Sequence, residues 1–469
     1  MELVEAVRTR EVSPVELVQA SLSRIRELDP GLNAFLEVAS DAALVSAKVA
    51  EATQMSGEDL PPLHGIPLGI KDLHETQGIR TTYGSVHFAD NVPDADSLPV
   101  QRLRAAGAIV VGKTNTPAFG LLGETKNRLC PPCCNPWNPE TTTGGSSGGS
   151  AVAVATGMVP GATGSDSAGS IGVPASYCGV YGIKPTHGRV PTLPAPRDSL
   201  LFLDTGPMTR GVEDAALLLG LMSGHDARDP IALRAGPQAY LDDLRGGDLT
   251  DTPLKGLRVA YTGDLGHFAV DPELRDATRE TAGRLAALGA EVAEEAPRIE
   301  NPIELYMGFY VTDVRSLLAR PADADHIVEL FPETLAELAA YPELSAEDYA
   351  GRLQRLWGFR AAMEEFFTRF DLLVTPTTTS TAFPHSDPPA QIDGRPVAAN
   401  WTGFMPITTT WNLTGQPAAN VPVGLSSQGL PLGVTLAGRP GDDLGVLRAS
   451  RALELSGSWL SWRSSVAAA

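Results

Sequence analysis

Near the start of the chain, apolar residues recur at helical spacing behind a helix-start signal. Ser13-Pro14-Val15-Glu16 combines a capping box with proline at the first helical position, and Leu17, Leu22 and Ile25 follow on one face. We therefore expect the chain to open on an amphipathic helix.

Farther along, short apolar runs bounded by glycine and proline alternate with segments of helical periodicity. The predicted strands cover 66–70, 108–111, 257–261 and 372–374, and the predicted helices include 97–106 and 272–288. Apolar runs this short, separated by amphipathic helices, are typical of buried strands in α/β proteins. The pattern predicts an α/β fold around a parallel or mixed sheet.

Charged residues are distributed unevenly along the chain. Residues 130–190 contain few of them and many Gly, Ser, Thr and Ala, whereas 225–365 is rich in Asp, Glu and Arg at helical spacing. We interpret the first stretch as the buried centre and the second as a helical lid or subdomain that could lie on it. Neither a linker nor an internal repeat separates them, so a single domain over 1–469 is predicted.

Composition narrows the function classes. The 469 residues include 36 basic and 56 acidic side chains, and the resulting net charge of −20 opposes binding to nucleic acid or to an anionic membrane. No uncharged apolar run approaches the ~18–20 residues that span a bilayer. The start, MELVEAVRTR, lacks the basic and apolar regions of a secretion signal, so the cytoplasm is the expected location.

The cysteines do not form a disulfide framework. The chain has four, of which Cys130, Cys133 and Cys134 lie close together. A structural zinc site needs four ligands, and no second Cys/His pair with suitable spacing follows. We expect packed or free thiols, no bound metal and no cofactor.

A phosphate-loop pattern, G-x-x-x-x-G-K-[ST], occurs at 107–114. In a true phosphate loop this pattern follows a strand and opens a helix. Here 108–111 is itself the predicted strand, and Pro117 stands where the helix should be under way. The context therefore argues against nucleotide binding.

A nucleophile-elbow pattern, G-x-S-x-G, occurs at 145–149 with Ser147 at its centre. This elbow belongs to a Ser–His–Asp mechanism, which needs a histidine late in the chain. His267, His326 and His385 are available by position, but none stands in a context that singles it out. The pattern alone does not support that mechanism.

Two loops rich in glycine and small hydroxyl residues lie between Thr141 and Arg189, on either side of the uncharged segment 151–159. Such loops cost conformational entropy and add little core, so two of them in succession call for a functional reason. Here the chain resembles the amidase signature family. The matching motifs are GGSSGGS at 144–150, GSDSAGSIGVPAS at 164–176, CGVYGIKPT at 178–186, HGIPLGIKDL at 64–73, GAIVVGKTNTPAFG at 107–120, FDLLVTPT at 370–377 and NLTGQPAANVPVG at 412–424.

The resemblance covers almost the whole chain and implies a single α/β/α domain around a large mixed β-sheet. It also implies hydrolysis of a small-molecule amide by a Ser–Ser–Lys triad. Matched position by position, Lys71 is the catalytic base, Ser146 is the relay serine that follows a cis peptide bond, and Ser170 is the nucleophile that forms the acyl-enzyme. Nucleic acid and membrane are not expected as partners, and a homo-oligomer stays open.

Chemical reasoning supports these roles independently of the family. A serine hydroxyl needs a neighbouring base, and a lysine serves as that base only where desolvation keeps it neutral. Lys71 follows the uncharged run 65–70, which fits a strand that leads into a dry centre. The alternative for this lysine is a surface ion pair with Asp72.

The negative charge that develops on the carbonyl oxygen requires hydrogen-bond donors placed in advance. We expect small residues around the nucleophile to let a substrate approach the backbone, while Asp166 and Ser147 support the loop through hydrogen bonds. The predicted oxyanion hole consists of the backbone N–H groups of Ser167, Ala168, Gly169 and Ser170.

The chain departs from the family's pattern at two positions near the nucleophile. Ala168 stands where glycine is common, which adds one methyl group, and Gly172 stands where arginine is common. The missing cation predicts a neutral or apolar acyl group rather than a carboxylate-bearing substrate. Predicted pocket residues are Gly120, Leu122 and Phe404, with further walls from 301–360.

Two alternative functions remain open. One branch of the family is the glutaminase subunit of a glutamyl-tRNA(Gln) amidotransferase, which carries an acidic glutamine-binding residue shortly before the NLxGxP segment. The corresponding stretch here, WTGFMPITTTW at 401–411, contains no acidic residue. The other alternative is a non-catalytic scaffold, although all three triad residues are present. Aliphatic, aryl and peptide amides, cyclic or linear oligoamides, carbamates and esters all stay open as substrates.

Overall fold

The computed structural model describes residues 1–192, 201–236, 238–246, 252–318, 330–457 and 459. Thirteen strands occur among these residues, eleven of them in one sheet. The strands are β1 (Phe35–Val38), β2 (Pro67–Lys71), β3 (Ile109–Thr114), β4 (Gly161–Asp166), β5 (Tyr181–Lys184), β6 (Asp204–Thr209), β7 (Arg258–Tyr261), β8 (Glu291–Glu294), β9 (Leu372–Pro376), β10 (Gln391–Ile392), β11 (Arg395–Pro396), β12 (Ala418–Leu425) and β13 (Pro431–Gly438).

Helices surround this sheet, and none of the helices in the described ranges is long and apolar enough to cross a membrane. They are α1 (Glu2–Arg8), α2 (Pro14–Leu32), α3 (Ser40–Ser56), α4 (Leu98–Ala105), α5 (Gly148–Ala155), α6 (Gly172–Cys178), α7 (Val212–Met222), α8 (Tyr240–Arg245), α9 (Pro272–Ala287), α10 (Pro302–Leu318), α11 (Pro332–Ala340), α12 (Ala346–Arg369), α13 (Trp401–Phe404), α14 (Thr409–Thr414) and α15 (Asp443–Ser456).

The large sheet has the strand order β1-β3-β2-β4-β6-β5-β12-β13-β9-β7-β8. β2 is parallel to both β3 and β4, whereas β4, β6, β5, β12, β13 and β9 pair antiparallel in succession. The second sheet is the short pair β10–β11. The predicted α/β fold around a large mixed sheet is confirmed.

Local sequence signals account for most of the predicted elements. The Ser13 side chain accepts a hydrogen bond from the Glu16 N–H, and the Glu16 carboxylate accepts one from the Ser13 N–H, so the capping box starts α2 as expected. The predicted strands became β2, β3, β7 and β9, and the two predicted helices became α4 and α9. One expectation was wrong, because the short helix α1 precedes α2.

The charged stretch 225–365 is only partly helical. Its strands β7 and β8 pair in parallel with each other, and β7 pairs with β9, so they extend the main sheet at one edge. The helices α10 and α12 pack against each other and against α14. A lid formed by α10 to α12 stays a prediction.

A buried carboxylate joins α11 to α13. One oxygen of Glu337, Oε2, accepts a hydrogen bond of 2.9 Å from the Trp401 indole N–H, while Oε1 is buried and has no hydrogen-bond partner among the described residues. Burial is the main cause that raises the pKa of Glu337 to about 7 from its usual 4.5. The folded protein therefore holds a proton on this carboxyl that the unfolded chain releases between those values.

We expect the substitution Glu337→Gln to remove part of the pH dependence of stability. Because the folded-state pKa is raised, the wild type loses up to about 3 kcal/mol as pH rises from 4.5 through 7, whereas the amide does not titrate. Urea unfolding at pH 5 and pH 8 measures the effect, with the exposed Glu364→Gln as control. Equal pH dependence in wild type and Glu337→Gln would contradict the buried carboxyl as its source.

Candidate active site

The site lies where two neighbouring parallel strands end. Lys71 is the last residue of β2 and Asp166 is the last residue of β4. Because β2 and β4 run in the same direction, their carboxyl ends leave the sheet at the same edge. This topology brings the HGIPLGIKDL motif at 64–73 next to the second Gly/Ser loop.

The Lys71 side chain is completely buried and surrounded by serine oxygens. Its Nζ lies 2.7 Å from Ser146 Oγ, 2.9 Å from Ser165 Oγ and 3.2 Å from the Ser165 carbonyl oxygen. Its backbone N–H donates to Thr163 Oγ1 at 3.0 Å, which ties the end of β2 to β4. The structure thus joins Lys71 and Ser146, two residues that are 75 positions apart in sequence.

Ser146 belongs to a tight turn that precedes α5. The Gly145–Ser146 peptide bond is cis, as the resemblance implied. A Cβ atom on Gly145 would lie 2.9 Å from the Leu122 carbonyl oxygen and from the Glu124 nitrogen, so only glycine fits there. Ser147 is the N-cap residue of α5, fully buried, and its Oγ lies 3.3 Å from the Ser165 carbonyl oxygen.

Ser170 lies in the loop between β4 and α6, and 7% of its surface is exposed. Its carbonyl oxygen accepts a hydrogen bond of 3.2 Å from the Ser147 N–H, which places the two Gly/Ser loops in direct contact. Its own hydroxyl makes no hydrogen bond to another described residue, and none joins it to Ser146. Of the three predicted triad residues, Lys71 and Ser146 are hydrogen-bonded, and Ser170 lies on the adjoining loop.

Asp166 holds the shape of the loop that carries Ser170. Its Oδ1 accepts a hydrogen bond of 2.6 Å from the Gly169 N–H, and its Oδ2 accepts one of 2.7 Å from the Ile171 N–H. The Asn412 side-chain amide donates to Asp166 Oδ1 at 2.9 Å and to the Phe202 carbonyl oxygen at 3.2 Å. These contacts define how the Asp166 carboxylate holds the loop that carries Ser170.

This arrangement changes the predicted oxyanion hole. The Gly169 N–H is engaged by the Asp166 carboxylate, so it is not a free donor in this structure. The N–H groups of Ser167, Ala168 and Ser170 donate no hydrogen bond to any described residue. The four predicted donors thus reduce to three, because folding the loop around a carboxylate uses one of them.

We expect Asp166→Asn to lower kcat as well as stability. The amide can accept only one of the two backbone N–H bonds, so the loop loses about 1–3 kcal/mol of stabilisation and Ser170 loses its fixed position. Urea unfolding and kcat on a chromogenic anilide measure the two effects. Asp264→Asn is a matched control, since Asp264 Oδ1 accepts a 2.8 Å bond from the Gly266 N–H in another loop. Full kcat in Asp166→Asn would contradict the positioning role.

Thr408 packs against the same loop. Its Oγ1 donates to the Ala168 carbonyl oxygen at 2.9 Å, and it also lies 2.8 Å from the Met405 carbonyl oxygen. Gly169 has a φ of +117°, and a Cβ there would lie 2.6 Å from the Thr408 Cβ. Glycine is therefore required immediately before Ser170.

A second buried lysine, Lys113, lies close to Asp72, the residue that follows Lys71. Asp72, considered above as a surface partner of Lys71, is itself fully buried and lies 3.5 Å from the Nζ of Lys113. That alternative is wrong, because Lys71 is buried as well. Burial is the main cause that lowers the pKa of His74 to about 3, so this histidine is neutral at physiological pH.

The predicted pocket residues lie in different environments. Gly120 is next to Ser146, since a Cβ at this position would lie 3.2 Å from Ser146 Oγ. Leu122 is partly exposed on the same segment. Phe404 is 2% exposed and packs against Phe383 with ring centroids 4.8 Å apart, so it is a core side chain and not an accessible wall. Of the predicted wall 301–360, residues 319–329 lie outside the described residues.

The phosphate-loop pattern and the nucleophile-elbow pattern both form ordinary structural elements. The phosphate-loop pattern forms β3, and Pro117 precedes a short 3₁₀ turn and not an α-helix. Ser147, the centre of the elbow pattern, is buried, and His267 and His385 bond to the carbonyl oxygens of Ile299 and Pro139. His326 lies outside the described residues.

All four cysteines are free thiols. Cys133 and Cys178 are buried, and burial raises the pKa of the Cys130 thiol to about 11. Within the described ranges, no group of three or more His, Cys, Asp and Glu side chains could hold a metal ion.

Sequence reasoning did not single out three residues that shape the site. Ser165 and Asn412 lie inside the quoted motifs, so their positions could have marked them as partners of the loops. Thr408 belongs to a run of three threonines at 408–410, which lies outside the quoted motifs. All three act through contacts between segments that are far apart in sequence.

Comparisons with known proteins identify the family of this chain. A model of the Amidase family matches residues 16–447. The chain belongs to the amidase family. It is 34% identical over 467 residues to an acylamidase of Rhodococcus erythropolis, and the match covers 98% of this amidase and 95% of that protein.

Two further relatives are informative. A glutamyl-tRNA(Gln) amidotransferase subunit of Synechococcus sp. (strain WH7803) is 37% identical over 455 residues, 91% of either chain. The crystal structure of a bacterial aryl acylamidase of the amidase signature enzymes superimposes with a TM-score of 0.88 at 31% identity, covering 97% of this amidase and 95% of that chain. This protein is an amide hydrolase of the amidase signature type.

Proposed function

We propose that this amidase hydrolyses small carboxylic amides through an acyl-enzyme on Ser170, with Ser146 as proton relay and Lys71 as base. The observation that carries the proposal is the 2.7 Å contact between Lys71 Nζ and Ser146 Oγ in a fully buried setting, on the loop that contacts the Ser170 backbone. Complete burial favours a neutral amine, because desolvation penalises the ammonium form. A neutral Lys71 can accept the Ser146 proton.

The proton path follows from these contacts. As Ser170 Oγ attacks the carbonyl carbon, its proton passes to Ser146 Oγ while the Ser146 proton passes to Lys71 Nζ. When the C–N bond breaks, the same path returns the proton to the leaving nitrogen. Water then attacks the ester carbon, gives its proton to the relay, and Ser170 recovers its own. Hydrogen bonds among catalytic groups commonly tighten only when substrate is bound, which suits the relay between Ser146 and Ser170.

The tetrahedral intermediates require stabilisation of an oxyanion. The unengaged N–H groups of Ser167, Ala168 and Ser170 are the candidate donors, and they lie on a loop that Asp166 and Thr408 hold in place. Donors fixed in advance stabilise the charge without reorganisation, an effect worth roughly 3–4 kcal/mol per donor in other enzymes.

We further propose a neutral or apolar substrate. No cation stands at Gly172, two residues after the nucleophile, and the stretch 401–411 contains no acidic residue. Recognition of the α-amino group of glutamine needs such an acidic partner. The amidotransferase function of the Synechococcus relative is therefore the less supported candidate for this chain.

The test is a burst experiment with two classes of amide. We expect a chromogenic anilide to release one equivalent of arylamine per enzyme before the steady state, and mass spectrometry to place the acyl group on the peptide that contains Ser170. Ammonia release from glutamine should stay at least about tenfold below anilide turnover. Glutaminase activity above anilide turnover would instead support the amidotransferase function, and absence of both would support a scaffold.

The proposal also covers the cellular compartment and the binding partner of the enzyme. Four free thiols, two of them buried, suit a reducing compartment such as the cytoplasm. The partner that the site requires is a small-molecule amide.

A further inference from the structure

Gly172 leaves space beside the nucleophile. It is the first residue of α6, two positions after Ser170, and it is partly exposed. A Cβ added there would lie 3.5 Å from Thr377 Cγ2 and 3.6 Å from Thr408 Cγ2, with no other neighbouring atom of the described residues within 4 Å. These are ordinary van der Waals distances, so there is room for at least one methyl group at this point.

The two threonines present methyl groups to this space because their hydroxyls are engaged elsewhere. Thr377 Oγ1 lies 2.8 Å from Asn420 Oδ1 and 2.9 Å from Thr435 Oγ1. Thr408 Oγ1 bonds to the carbonyl oxygens of Ala168 and Met405. Both side chains are buried, so their orientation is set by these bonds and the lining next to Gly172 is apolar.

The two halves of an amide substrate, the leaving amine and the acyl chain, need separate places around the triad. The proton for the leaving nitrogen comes from Ser146, which lies beside Gly120 and Lys71. Gly172 follows Ser170 by two residues, and Thr408, whose methyl group lies 3.6 Å from an added Cβ at 172, bonds to the Ala168 carbonyl oxygen of the same loop. If the leaving amine binds next to Ser146, the space at Gly172 remains for the carbon chain of the acyl group.

We propose that Gly172, with the methyl groups of Thr377 and Thr408, forms a subsite for the alkyl part of the acyl group and sets which acyl chains the enzyme accepts. This inference rests on the proposed acyl-enzyme at Ser170. The ligand class is an uncharged, saturated acyl chain longer than acetyl. Apolar contact with the threonine methyls stabilises it, and a side chain at 172 occupies the same space.

The experiment compares acetyl and isobutyryl p-nitroanilide in Gly172→Ala and Gly172→Leu. One methylene in an apolar pocket is worth roughly 10-fold or more in kcat/KM. We expect the isobutyryl-to-acetyl ratio of kcat/KM to fall by about that factor in Gly172→Leu and by less in Gly172→Ala. Gly283→Leu is the control, because Gly283 is an exposed glycine of α9 with no described atom within 4 Å of an added Cβ, and it should keep the wild-type ratio.

A second variant tests the same space by enlarging it. Thr408→Ser removes Cγ2 but keeps the hydroxyl that bonds to Ala168, so the double variant Gly172→Ala/Thr408→Ser should recover the isobutyryl-to-acetyl ratio lost in Gly172→Ala. Varying the aniline at constant acyl group should show no dependence on residue 172. Recovery in the double variant supports the subsite even if Gly172→Leu does not fold.

The outcomes separate the two proposals. Fluorophosphonate labelling of Ser170 counts working nucleophiles in each variant. If both Gly172 variants label fully at Ser170 and keep the wild-type isobutyryl-to-acetyl ratio of kcat/KM, the subsite proposal is overturned. The acyl-enzyme mechanism then remains in place. A change that follows the aniline and not the acyl group also overturns it. Failure of the wild type to label at Ser170 overturns the mechanism itself.

Discussion

Ser170→Ala is expected to lower kcat for a chromogenic anilide by about 10⁴-fold or more. The variant loses the atom that would form the covalent bond to the acyl carbon, while the backbone N–H groups and the Asp166 contacts remain. Folding should be unaffected, because the Ser170 hydroxyl makes no hydrogen bond to another described residue. Steady-state kinetics and a thermal unfolding curve measure both quantities.

A neighbouring serine provides the control for that prediction. Ser167→Ala keeps the backbone N–H at a partly exposed position of the same loop and should retain most of the activity. Fluorophosphonate labelling should persist in Ser167→Ala and vanish in Ser170→Ala. Wild-type turnover in Ser170→Ala would reject Ser170 as the nucleophile.

Lys71→Met is expected to lower kcat by about 10²–10⁴-fold, the range that a general base contributes. Methionine nearly preserves the volume of the buried side chain but offers Ser146 no basic nitrogen. The contacts of 2.7 Å to Ser146 and 2.9 Å to Ser165 are lost together. Pre-steady-state kinetics should show a slowed burst, because acylation needs the base first.

Lys48→Met is the matched control for the lysine. Lys48 is exposed on α3, so the same substitution there should change kcat little. Lys113 is unsuitable, because it is fully buried and lies 3.5 Å from Asp72. A loss in Lys71→Met no larger than in Lys48→Met would rule out Lys71 as the base.

Elements defined by local signals were predictable from the sequence. The capping box at Ser13 and the glycine-bounded apolar runs became α2, β2, β3, β7 and β9. These elements are predictable because capping residues and buried apolar residues form patterns within a few positions of sequence. Helix α1 has no side-chain capping bond, and it was missed. The stretch 225–365 was interpreted as largely helical, and its charge hid the edge strand β8.

The candidate triad was named from the sequence, but mainly through resemblance to a family. Composition alone pointed to two Gly/Ser loops and left Lys71 open between a base and a surface ion pair. The structure decides its surroundings, since Asp72 pairs with Lys113 while Lys71 Nζ lies 2.7 Å from Ser146. The role of each triad residue in catalysis stays a prediction.

The sequence by itself determined the α/β class, the main strands and the loops that carry the candidate chemistry, because these depend on local periodicity and on where glycine is needed. Only the tertiary structure decided that the Gly169 N–H is engaged by Asp166 and that the methyl groups of Thr377 and Thr408 face Gly172. The contacts of the two threonines with position 172 join segments more than 200 residues apart in sequence. They depend on the strand order of the sheet, which no local pattern records.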